Sequence, residues 1–149
     1  MGVYPKKSKT DSVRSPDYVL RYVENTWGTF FDPVPFCPDF DPERDPDALK
    51  ICWKGVNYVN PPFSCPRKFL EKGHFLWKSQ QLVSIFLAKT DILGSQYFHK
   101  LIGDAELRFF NHHITFPGYD KRAPFPCMLV IFDGKRPGMF GSCDGRELM

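Results

Sequence analysis

Asn60-Pro61-Pro62-Phe63 is the stretch whose residue types and spacing could do chemistry. Asn60 offers a side-chain amide oxygen, while two consecutive prolines fix φ and withhold two backbone donors, so a sheet ladder cannot run through them. That oxygen and the neighbouring carbonyl are therefore held in a small arc without sheet partners, closed by the flat apolar face of Phe63. Such an arc can accept two hydrogen bonds from a planar exocyclic amine while the ring stacks on the base that carries it. Asn-Pro is also a common turn dipeptide, so the plainer reading is an ordinary loop after a strand.

The elements that must hold this arc are legible around it. Asn57 to Val59, β-branched and aromatic, read as a strand that the prolines end. Pro66 to Lys78 carry Phe69, Leu70, Phe75, Leu76 and Trp77 on an expected helix. Leu82 to Ala88 are nearly continuous in apolar residues, as expected of a central strand covered on both faces. Further along, Gln96 to Ile102 read as a helix, and Glu106 to Phe110, His113 to Phe116 and Met128 to Phe132 as strands. Upstream, Ser15 as N-cap and Pro16 in the first turn open a helix to about Asn25. Thr29 to Asp32 follow as a short buried strand, then a Pro- and Asp-rich loop from Val34 to Pro46, long enough to suggest a functional role. Asp47 to Lys50 read as a helical turn. Strand and helix alternate through the middle, which predicts an α/β sheet with crossover helices that finishes in antiparallel strands. Ligands of such sheets collect at the carboxyl ends of the strands, here Asp32 with its loop, Asn60 to Ser64, and Lys89-Thr90-Asp91.

A chain of 149 residues with 15 Phe is one domain's worth with ample core material. We expect a flexible basic arm over residues 1–13 and one domain over 14–149, with no separate target-recognition domain. The five cysteines are odd in number and widely spaced, without Cys-x-x-Cys pairs, so neither a disulfide framework nor a metal site is expected. His112 and His113 are adjacent, which on a strand turns them to opposite faces and makes ordinary strand or turn residues the plain reading. The net charge of +3 is mild, with Lys6, Lys7, Lys9 and Arg14 clustered near one end and Lys121, Arg122, Lys135 and Arg136 near the other. That permits a nucleic-acid partner without demanding one. No apolar run reaches the roughly 18 residues that span a bilayer, and the first residues lack a signal peptide's apolar centre, so a soluble, intracellular protein without a membrane partner is expected.

Five blocks in order carry a resemblance to a known family: Ser15-Pro16; Phe31-Asp32; Asp47-Ala48-Leu49 with Trp53, Gly55 and Asn60-Pro61-Pro62-Phe63; Lys89-Thr90-Asp91 with Tyr97-Phe98-His99; and Ala105-Glu106-Leu107-Arg108-Phe109 running on to Ala123-Pro124-Phe125-Pro126-Cys127 and Phe132. Together they resemble the small DNA N6-adenine methyltransferases of phages, over about Arg14 to Phe132. The resemblance implies a compact Rossmann-like methyltransferase fold, S-adenosyl-L-methionine as donor, and an adenine in DNA as acceptor.

By the same resemblance Asn60, Pro61, Pro62 and Phe63 form the catalytic motif. An adenine amine is a poor nucleophile because its lone pair is delocalised into the ring, so acceptors that orient it suffice and no strong base is needed. The resemblance sets Asp32 beside the donor, Asp47 near its adenine amine, and Ser15-Pro16 against it. Each has a structural alternative, since Asp32 suits a turn and Asp47 and Ser15 suit helix caps. His112 and His113 stand where the family often has Gly-Arg, and with Lys89, Lys121 and Arg122 they are the expected nucleic-acid contacts. RNA adenines and protein glutamine amides also present a planar NH2 group, so those acceptors stay open. So does a non-catalytic relative that binds nucleic acid, a reading favoured by the glycine-free segment Pro33-Val34-Pro35-Phe36-Cys37-Pro38.

Overall fold

The computed structural model describes residues 12–37, 41, 43–44 and 47–146. Its centre is a five-stranded mixed sheet built from Val56–Val59 (β1), Val83–Lys89 (β2), Glu106–Phe110 (β3), Cys127–Phe132 (β4) and Phe140–Cys143 (β5). The spatial order is β1-β2-β4-β3-β5. β1 runs parallel to β2 and β5 parallel to β3, while β4 lies antiparallel between β2 and β3. The longest strands, β2 and β4, occupy the middle, where both faces are covered and polar side chains would be desolvated.

Alternation along the pleat divides the core into two layers. Val59, Phe86, Ala88, Met128, Val130 and Phe132 face one side, under Phe69 and Leu70 of the helix Arg67–Gln80 (α2) and Phe98 of the short helix Gln96–His99 (α3). Tyr58, Ile85, Leu87, Leu129 and Ile131 face the other, under Val19 and Val23 of the helix Asp17–Trp27 (α1). Trp27 Nε1 donates to Asp133 at 2.9 Å and Arg108 donates to the Tyr22 hydroxyl at 2.7 Å, which ties α1 to the sheet at two further points. The result is a compact α/β fold, Rossmann-like in its layering. Among the described residues no helix is long and apolar enough to cross a membrane.

Several expectations need correction. Thr29 to Asp32 contribute a single parallel bridge, Phe31 to Asn57, because Pro33 and the turn after it stop the ladder at once. His113 to Phe116 form no strand: the segment's one backbone hydrogen bond to its return limb among those described is Ala123 N to Ile114 O at 2.7 Å, since Pro124 and Pro126 have no N–H to give. β3 and β4 pair antiparallel, as expected of the later strands, but the chain runs on into β5, which lies parallel to β3 and is missing from the sequence reading. The expected helix at Gln96 ends at His99, and Ile102–Asp104 turn as a separate 3₁₀ segment. Pro16, not Ser15, is the N-cap of α1 and accepts from Val19 and Leu20 through its carbonyl. Val13, expected in the arm, is 7% exposed within the core, so the domain begins before Arg14. The rest of the expected arm, residues 1–11, lies outside the described residues, as do residues 38–40, 42 and 45–46 of the Pro-rich loop.

Candidate active site

Strand directions bring four segments to one edge of the sheet. The carboxyl ends of β1, β2, β3 and β5 lie there with the amino end of β4, as the pairings Lys89 with Cys127 and Phe110 with Cys143 require. Asp32, Asn60 to Ser64, Lys89 and the loop from Asn111 to Pro126 therefore share this edge.

Asn60 follows the last residue of β1, held by the ladder on one side and by the prolines on the other. Its Nδ2 donates to the Val13 carbonyl at 2.8 Å and to Ser15 Oγ at 3.0 Å. Both amide protons are thereby used, which orients the group and leaves Oδ1 as an acceptor. Ser15 Oγ also lies 2.7 Å from the hydroxyl of Tyr58, a fully buried β1 residue. Burial drives the Tyr58 phenol well above its usual pKa, against a smaller opposing effect of the Ser15 hydrogen bond, so it stays protonated. Ser15 thus touches the catalytic-motif candidate directly.

Phe63 is walled in by two other aromatics. Its ring stands near-perpendicular to Phe125 at 5.2 Å and to Phe116 at 5.8 Å between centroids. The Lys89 ammonium lies 5.6 Å from the Phe63 centroid and 4.4 Å from that of Phe125. Lys89 Nζ also approaches the Asp91 carboxylate at 3.9 Å. Pro61, Pro62, Phe63, Pro66, Lys89 and Asp91 line a small cleft at this point. The wall of this cleft thus carries one aromatic ring, Phe63, and one cation, Lys89, with Asn60 just before its first lining residue in the chain. No protein-family model matches the chain, and no curated protein matches it.

Asp32 sits one residue past the Phe31 bridge, beside β1. Its Oδ1 accepts from Val34 N at 2.9 Å, leaving the second oxygen for another donor. Burial raises its pKa above the ordinary carboxylate value, partly offset by that backbone hydrogen bond. Asp47 is exposed; its Oδ1 accepts from Leu49 N at 2.8 Å and its carbonyl from Lys50 N at 2.9 Å, so it caps the turn it opens. Lys72 of α2 fixes the same turn from beneath, donating to the carbonyls of Ala48, Leu49 and Ile51 at 3.3, 3.0 and 2.6 Å. Pro16 is buried at the start of α1, next to Ser15.

The expected nucleic-acid contacts divide into three groups. Lys89 is at the cleft. Lys121 and Arg122 are exposed on the loop whose base carries Phe116 and Phe125. Phe116-Pro117-Gly118-Tyr119 turns that loop with Tyr119 N on Phe116 O at 3.1 Å and Gly118 at φ +88°, the conformation a glycine after proline supplies. His112 is engaged elsewhere: its Nε2 lies 2.7 Å from the Tyr18 hydroxyl, and burial, then Arg146, lowers its pKa. A neutral imidazole makes no ion pair with Asp144, although the atoms approach to 3.9 Å. His113 Nδ1 bonds the Ala123 carbonyl at 2.7 Å and fixes the loop base.

Four contributors escaped the sequence reading: the Val13 carbonyl, Tyr58, Phe116 and Phe125. For Tyr58 the strand alternation was a usable signal, since it puts the phenol on the face opposite Val59. Phe125, between Pro124 and Pro126, could have been flagged as a rigidly presented ring. Nothing local marks Val13.

Proposed function

We propose that the protein is an S-adenosyl-L-methionine-dependent methyltransferase that transfers a methyl group to the exocyclic N6 amine of adenine in DNA. The observation that carries this reading is the oriented carboxamide: with both Nδ2 protons of Asn60 spent on Val13 and Ser15, Oδ1 is held as an acceptor at the end of β1, three residues before Phe63. An acceptor fixed in advance lines up the amine nitrogen's lone pair for attack without removing its proton first, a gain of orientation and electrostatics. When bound, the donor supplies an electrophilic methyl on a sulfonium. Asp32 and Asp47 fit its polar groups, because each keeps one carboxylate oxygen beyond its own backbone hydrogen bond for a ribose hydroxyl or an exocyclic amine. In this reading the sheet is that of a Rossmann-like methyltransferase.

A duplex adenine reaches such a site only by leaving its stack, at a cost of a few kcal/mol. Stacking on an aromatic face returns about 1–3 kcal/mol, which is the role we give Phe63. The ring cluster and Lys89 favour a nucleobase over a protein glutamine amide, which has no π-face to stack. Lys121 and Arg122 extend the cationic side outward, on the loop that Phe116 and Phe125 anchor. Titration calorimetry with S-adenosyl-L-methionine tests the reading against a non-catalytic relative. Saturable binding is expected; none at millimolar donor would remove the enzyme reading.

A further inference from the structure

Asn60 owes its orientation to residues far away in sequence, Val13 and Ser15, which are 47 and 45 positions earlier. The extended run Val13-Arg14-Ser15 turns its first and third residues inward, each 7% exposed, and Arg14 outward. Ser15 Oγ then meets two partners, the amide of Asn60 and the phenol of Tyr58.

The direction of these bonds follows from burial. Asn60 Nδ2 can only donate, so Ser15 Oγ accepts from it. Tyr58 is 0% exposed, and among the described residues Ser15 is its hydroxyl's hydrogen-bond partner. Were Ser15 the donor, the phenolic proton of fully buried Tyr58 would be left over; with Tyr58 donating, the proton left over is that of Ser15, which at 7% exposure is nearer solvent, the cheaper arrangement. Tyr58 therefore donates, and Ser15 Oγ accepts twice. Without Ser15 one amide proton of Asn60 loses its acceptor, and a half-turn of the carboxamide, which puts Nδ2 where Oδ1 was, is no longer resisted on that side.

We propose that Ser15 and Tyr58 are positioning residues for Asn60: Tyr58 fixes Ser15 Oγ, and Ser15 Oγ with the Val13 carbonyl takes both amide protons, holding Oδ1 toward the amine to be methylated. The proposal rests on the methyl-transfer reading of the site. Its structural half, the locked carboxamide, can be measured without any activity.

The experiment compares the full chain with Ser15→Ala, Ser15→Thr and Tyr58→Phe in two measurements. In steady-state methylation of DNA, Ser15→Ala should lower kcat by about tenfold to a hundredfold, the penalty typical of a misplaced reacting group, with KM for DNA and donor affinity within about threefold. Ser15→Thr, which keeps the hydroxyl, should restore kcat to within about threefold, and Tyr58→Phe should fall between. In NMR spectra the side-chain amide protons of Asn60 should exchange slowly in the wild type and in Ser15→Thr, and faster in Ser15→Ala. A wild type inactive on DNA would sink the methyl-transfer reading, yet the exchange data would still judge the lock. Exchange unchanged in Ser15→Ala, or a loss confined to KM, would overturn the positioning role, as would failure of Ser15→Thr to rescue.

Discussion

The ammonium of Lys89 lies 4.4 Å from the centroid of the Phe125 ring and reaches the Phe63 ring as well, so the cation and the aromatic wall at the end of β2 form one unit. A partly exposed cation–π contact is worth about 0.5–1 kcal/mol, too little to make Lys89 a stability residue. Its larger effect should be on anion binding. Lys89→Met, which keeps the apolar stem, is expected to weaken DNA binding for all sequences alike and to reduce the slope of log affinity against log salt by about one. Fluorescence anisotropy at several salt concentrations measures this; an unchanged slope would remove Lys89 from the DNA contacts.

Asp32 should trade stability for donor binding. Burial raises its pKa above the ordinary 3.8, so the folded state holds the proton more tightly than the unfolded chain. The charge therefore costs stability, not at all below 3.8, increasingly as pH climbs through the window up to the raised value, and fully above it. Asp32→Asn keeps an acceptor for Val34 N and removes the charge. Urea melts should show the variant more stable than the wild type at pH 7 and no gain at pH about 3. Its affinity for S-adenosyl-L-methionine should fall by about tenfold, near the low end of a lost charged hydrogen bond. Equal stability at both pH values would contradict the burial of this carboxylate.

Gly73 is where α2 touches the sheet. A Cβ there would lie 2.5 Å from Phe86 Cζ and 2.8 Å from Ser84 Oγ, both on fully covered β2 residues. Alanine gains up to about 1 kcal/mol of helix propensity over glycine, while overpacking a closed core costs about 1–3 kcal/mol. Gly73→Ala should therefore be net destabilising by about 1–2 kcal/mol in a urea titration. A stabilised variant would show that α2 can lift from β2 at little cost.

Cys127 should be chemically silent. Burial pushes its thiol up to about 12, and Lys89 offsets this only in part. Cys52 and Cys65 are exposed. Iodoacetamide at pH about 8 should label Cys52 and Cys65 in the native protein, and Cys127 only after unfolding, as read by peptide mass spectrometry. Native labelling of Cys127 at a comparable rate would mean that the amino end of β4 opens.

What the sequence disclosed follows from the physics of each element. Leu82 to Ala88 were readable because a strand covered on both faces must be apolar throughout, and Arg67–Gln80 because one helix face must be. Phe140–Cys143 were not: the strand lies at the sheet edge with Phe140 73% exposed and contains glycine, so it carries neither alternation nor an apolar run. Thr29 to Asp32 had strand composition, but Pro33 reduced it to one bridge. In the site, the Asn60 arc was visible because prolines act locally. Its support was not, since nothing in the neighbourhood of Ser15 says that its hydroxyl will meet Asn60 rather than cap α1.

Methyl transfer itself is most directly tested by incubating the protein with methyl-labelled S-adenosyl-L-methionine and, separately, DNA, RNA and a glutamine-bearing peptide, then analysing the digested products by mass spectrometry. We expect the label on the N6 position of adenine from DNA, abolished in Asn60→Ala while that variant still binds donor within about threefold of the wild type, because Asn60 serves the acceptor amine. Label on no substrate, label chiefly in RNA or peptide, or full transfer by Asn60→Ala would contradict the proposed reaction.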